Sequence, residues 1–189
     1  MNLKIATLLC ATLLAAGCVS QQTYNTEVAK ANTLTTQNQQ LDALNQQLRG
    51  ELASDQAQIT QLQNQLKVTM VNEVLFAEGG WTLSPKGEAA LAKIAPSLSK
   101  LQGQQIVVEG FTDNVPIGPH LKARFPSNWE LSSARATDVL RFLVSKGVPA
   151  NTISAQGFGV PRPVAGNDPA EGRAKNRRVE IVIMAASRP

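Results

Sequence analysis

In "VVEGFTDNVPIG" (107–118) an alternating apolar run stops at Asp113, and the next long amphipathic stretch, "SNWELSSARATDVLRFLVSKG" (127–147), carries Arg135. A carboxylate at a strand end can serve as a catalytic base, as half of a ligand clamp, or as a turn former bonded to its own backbone. A helical arginine can grip a carboxylate with a two-pronged fork that lysine cannot reproduce, or sit solvated on a surface. Asn128 lies seven residues before Arg135, so both fall on one helix stripe, with Leu131 on or near it. Thr112 and Asn114 flank the aspartate and shape its loop. The catalytic reading lacks partners. His120 is the only histidine and sits in a Pro/Gly-flanked loop with no serine-nucleophile motif around it. Cys10 and Cys18 both lie near the N-terminus, which removes thiolate zinc sites from the rest of the chain. There is no P-loop, and in "GFGVPRPVAG" (157–166) prolines replace the helix that a dinucleotide site requires. No enzyme, metal or cofactor is expected.

Alternating strands and helices must position these residues. "MVNEVLF" (70–76) reads as a strand. "SPKGEAALAKIAPSLSKL" (84–101) opens a helix with Ser84 as N-cap and Pro85 in the first turn, and Pro96 is expected to kink or shorten it. "QQIVVEGF" (104–111) is a second strand. The helix after it is capped by Ser127 or Asn128, favoured by Glu130 and stopped by Gly147. "TISAQGFG" (152–159) and "RRVEIVIM" (177–184) are two further strands. The pattern predicts an α/β fold, an α+β sandwich with one sheet.

The ordered set "GFTDN…SNWELSSARATDVLRFLVSKGV…ISAQGFGVPRPV…N…EGRAKNRRVEI" resembles the OmpA C-terminal-like (OmpA/MotB) peptidoglycan-binding domain over nearly all of 70–184. The long "DNVPIGPHLKARFPSNWELS" connection is most similar to the MotB branch. The stator activity of that branch does not carry over, because residues 5–17 contain no carboxylate. The resemblance implies a β-α-β-α-β-β domain that binds the diaminopimelate of the peptidoglycan stem peptide. That side chain ends in an ammonium and a carboxylate on one carbon. Asp113 then receives the ammonium and Arg135 grips the carboxylate, with Asn128, Thr112 and Leu131 beside them. Arg177 and Arg178 alternate to opposite faces of their strand. One supports the site, assigned here to Arg178, and the other is solvated. The loop around Glu78 is a weaker contributor.

The N-terminus reads as an address. "MNLKIATLLCATLLAAGC" has one lysine, an apolar run and small residues before Cys18. It resembles the lipobox of bacterial lipoproteins, with Ala15 where leucine is usual. This implies a signal peptide over 1–17, cleavage and acylation at Cys18, and a lipidated start over 18–21. Val19 in place of aspartate points to the outer membrane. Over 22–68 heptads place Ala31, Asn38, Asn45, Leu52, Ile59 and Leu66 at a, and Leu34, Leu41, Leu48, Asp55 and Leu62 at d. A helical coiled-coil stalk, and a homodimer through it, are expected there, with the working domain over 69–189. The formal charge of +4 is mild and excludes a nucleic-acid binder's basic face. The expected partners are peptidoglycan and, through Cys18, a membrane.

Overall fold

A computed structural model describes residues 21–52, 56–62 and 64–185. The expected signal peptide and Cys18 lie outside them. The chain divides into two compact units, 1–37 and 38–189. Helix α1 (Gln21–Glu51) contributes 21–37 to the first and its remainder to the second. In the first unit Tyr24 and Leu34 are exposed. The hydroxyls of Thr26, Thr33 and Thr35 donate to carbonyls four residues back. No helix among the described residues is long and apolar enough to cross a membrane.

The second unit is built on a five-stranded sheet of order β1-β2-β5-β3-β4. The strands are β1 (Gln58–Leu62), β2 (Gln65–Val71), β3 (Gln104–Phe111), β4 (Ile153–Gly159) and β5 (Arg178–Ala185). Only the β3–β4 pair is parallel. Four of the helices matter here: α2 (Asn72–Leu75), α3 (Pro85–Ser99), α4 (Pro119–Lys122) and α5 (Asn128–Ser145). A short α6 (Ala170–Asn176) precedes β5. Period-two alternation puts Val68, Met70, Ile106, Val108, Val179, Ile181 and Ile183 on one sheet face, all essentially buried. Leu91, Ile94 and Leu98 of α3, Val139 and Leu143 of α5, and Leu41, Leu44 and Leu48 of α1 cover that face. The α/β class is as expected.

Two local expectations are corrected. The stalk over 22–68 does not continue as a helix: α1 ends at Glu51, and 58–71 form a β1–β2 hairpin whose second strand pairs with β5. Leu41 and Leu48, assigned to a seam between chains, are buried in the domain's own core. The domain therefore begins well before residue 69. The strand expected over 70–76 ends at Val71, where the Asn72 N–H donates to the Arg177 carbonyl at 2.9 Å, and α2 follows. Pro96 lies in the last turn of α3, which ends at Ser99.

Candidate functional site

The strand β3 and helix α5 bring the two principal residues together. Their approach is set by small residues. A Cβ on Gly110 would lie 2.3 Å from the Ser132 carbonyl oxygen, and one on Gly157 would lie 2.1 Å from Ser133 Oγ. Glycine at both positions lets α5 lie directly on β3 and β4. The Ser132 hydroxyl, buried in this contact, accepts from Gly159 N–H at 3.0 Å. Ser127 caps the helix in a capping box with Glu130, and Asn128 is the first helical residue. The Asn128 amide instead donates to the Val115 carbonyl at 3.0 Å, pinning the loop after Asp113.

Asp113 follows β3 and is 6 % exposed. Its Oδ1 accepts from the Val115 N–H at 3.1 Å, and its Oδ2 accepts from Arg177 Nη1 at 2.7 Å. The neighbouring Thr112 hydroxyl is buried with no hydrogen-bond partner. Arg135, also buried, donates from Nε and Nη2 to the Gly80 carbonyl at 2.9 and 2.7 Å, and its guanidinium lies 5.5 Å from the Phe76 ring centroid. These bonds leave Nη1 with its hydrogens for a ligand. Burial, followed by the charge of Arg177, lowers the Arg135 pKa to about 10, while Asp113 and Glu73 pull the other way. Arg135 is thus a cation held in a site that an incoming anion would relieve. Arg177 also donates to Glu73 at 2.6 Å. Burial works against its charge, but the bonds to Asp113 and Glu73 outweigh this and raise its pKa. Arg135, Arg177, Glu73 and Asn72 line one cleft of about 630 Å³, together with Phe76 and the 77–79 loop that includes Glu78.

Two assignments change. Arg178 is not at this cleft. Strand alternation sends it to the opposite sheet face, where it is 3 % exposed, donates to Glu180 at 2.7 Å and lies 3.8 Å over the Phe111 ring. The arginine beside Asp113 is Arg177, and neither of the pair is simply solvated. Leu131 packs with Leu121 and Phe125 in a small cluster beneath the 114–127 loop, so its part is to hold that loop. Glu73 and Asn72 were not singled out, because reading 70–76 as one strand gave them no reason to face a site. The signal available was the polar pair interrupting an apolar run. Among the described residues no group of three or more His, Cys, Asp or Glu is placed to hold a metal.

Residues 75–177 match the OmpA family. The chain is 34% identical over 143 residues to the Escherichia coli protein named "Probable lipoprotein YiaD", covering 76% of this chain and 62% of that one. A MotB-like protein of Desulfovibrio vulgaris superposes with a TM-score of 0.75 at 28% identity, over 84% of this chain and 99% of that one. The cell wall anchor of the T6SS from Pseudomonas aeruginosa does so with a TM-score of 0.68 at 36% identity, over 76% and 97%. The chain spans about a third to three-fifths of the length of the curated relatives it matches. The family match over 75–177 covers more than half of the chain, and the chain belongs to the OmpA family.

Proposed function

We propose that this chain is an outer-membrane lipoprotein that binds peptidoglycan non-covalently through the diaminopimelate of its stem peptide and so tethers membrane to wall. The observation that carries the reading is a cleft lined by Arg135, Arg177 and Glu73, with the buried Asp113 carboxylate bonded to Arg177 at 2.7 Å. A ligand with an ammonium and a carboxylate on one carbon needs one fixed cation and one fixed anion a few ångströms apart. Arg135 supplies the cation and has donors to spare. Asp113 supplies the anion. The ammonium shares it with Arg177, which stays paired through Glu73, and the Thr112 hydroxyl offers a further acceptor. Asn128 acts through the Val115 carbonyl, by holding the loop. No covalent step or cofactor enters. Acylation of Cys18 supplies the membrane end of the tether.

A scaffold role in an envelope or secretion complex, with wall binding secondary, is the second reading. It draws on the likeness to the Pseudomonas aeruginosa wall anchor. Co-sedimentation with purified diaminopimelate-type peptidoglycan separates the two. The full chain is expected to pellet with the wall, and Asp113→Ala and Arg135→Ala are expected to remain in solution. Each variant should keep its stability within about 2 kcal/mol of wild type, the scale of the few hydrogen bonds lost. Full co-sedimentation of both variants would overturn the clamp and favour the scaffold.

A further inference from the structure

Asn72 is 5 % exposed, and neither its Oδ1 nor its Nδ2 has a hydrogen-bond partner. Burial of a whole carboxamide without bonds is rare in folded proteins, because each group gives up water for nothing. Asn72 lies in the wall of the cleft that Arg135, Arg177 and Glu73 also line. Its backbone N–H is committed to the Arg177 carbonyl at 2.9 Å, which fixes the residue at the strand end from which Arg177 reaches Asp113. The charged groups of the cleft answer the two ends of a zwitterion. Asn72 answers something else. A carboxamide presents an acceptor and donors side by side, the complement of the N–H and C=O of a peptide unit. A lone ion would satisfy only one of the two.

We propose that Asn72 reads an amide of the bound peptide, so that the cleft distinguishes diaminopimelate in peptide linkage from the free amino acid. This rests on the wall-peptide reading above and adds a neutral, amide-specific subsite to its charged clamp. The subsite explains why a polar side chain is kept at a position where the fold itself gives it nothing to bond.

Titration calorimetry of the full chain with two ligands tests it: free diaminopimelic acid, and the tripeptide L-alanyl-γ-D-glutamyl-diaminopimelate. Asn72→Leu keeps the volume and removes both polar atoms, while Asn72→Ala removes the whole carboxamide without adding charge to the cleft. Wild type is expected to prefer the tripeptide. Both variants are expected to lose about tenfold or more in tripeptide affinity, the worth of one or two hydrogen bonds, and to bind free diaminopimelate within about twofold of wild type. Asn72→Leu should melt at or above the wild-type temperature, since it no longer buries unpaired polar atoms; if it fails to fold, Asn72→Ala decides. Asp113→Ala, run alongside, should lose both ligands. Unchanged tripeptide binding in the Asn72 variants would overturn the amide subsite and leave the clamp standing. So would an equal loss of both ligands. Wild-type protein that binds neither ligand would overturn the clamp reading itself, and the subsite with it.

Discussion

Arg177 and Arg178 are adjacent, chemically identical and opposite in consequence. Arg178 is enclosed: its side chain is 4 % exposed, and it bonds Glu180, which is 5 % exposed and takes its second cation from Lys67 at 2.8 Å. Removing one member of a buried pair strands the other charge. Arg178→Ala is therefore expected to cost about 3–5 kcal/mol in a urea melt. Arg177, whose side chain is 33 % exposed, should cost less when replaced by alanine, about 1–3 kcal/mol for leaving the buried Asp113 with one hydrogen bond, yet weaken wall co-sedimentation. The reverse pattern would show that the two had been assigned to the wrong faces. Glu180 adds a pH dependence to the buried pair. Burial pushes its pKa up, but hydrogen bonds from Lys67 and Arg178 outweigh this and hold it below 4.5. Its contribution is present above that value and is lost as pH falls through the depressed folded pKa. The sequence made the opposition of the two arginines legible, since alternation alone requires it. Which one faced the cleft depends on how β5 registers against β2 and β3, and register is a tertiary property that spacing does not contain.

At the scale of elements, β3, α3, α5, β4 and β5 follow from alternation, caps and stop residues, and the structure has them within a few residues of expectation. The segment before residue 70 was harder for a physical reason. Ile59, Leu62 and Leu66 satisfy a heptad, while Leu66, Val68 and Met70 satisfy a strand's alternation, and the two periods overlap at Leu66. Pairing with β5 decides in favour of the strand. The same competition governs the leucines of α1. Leu48 is fully buried in the core, and Leu34 is 55 % exposed. Leu48→Ala is expected to destabilise the domain by about 2–5 kcal/mol, a core truncation. Leu34→Ala should stay within about 0.5 kcal/mol, as surface changes do. Chemical denaturation of the two single variants distinguishes them. Equal effects would mean that the helix does not belong to the domain in solution.

The whole molecule follows from how those leucines are used. A coiled-coil dimer through 22–68 would need Leu41 and Leu48 at its seam, and the domain has already buried them. What remains of the pattern over 21–37 is Ala31 and Leu34, a single a/d pair where a coiled coil needs about three to four heptads. Residues 19–189 are accordingly expected to sediment as a monomer in analytical ultracentrifugation. A monomer can still act as a tether if it is held at two points, and the proposed anchors are independent. Acyl chains on Cys18 would gain about 0.8 kcal/mol per buried methylene at the membrane, and the cleft would hold the wall. Each attachment raises the effective concentration of the other, so the intact protein should leave the envelope far more slowly than a variant with one anchor. Cell fractionation separates the contributions. Cys18→Ser should remain with the wall and be released by peptidoglycan digestion. Asp113→Ala should remain with the membrane and be released by detergent, and the double variant should be soluble. A Cys18→Ser protein that stays membrane-bound after the wall is digested would place the anchor elsewhere in the chain.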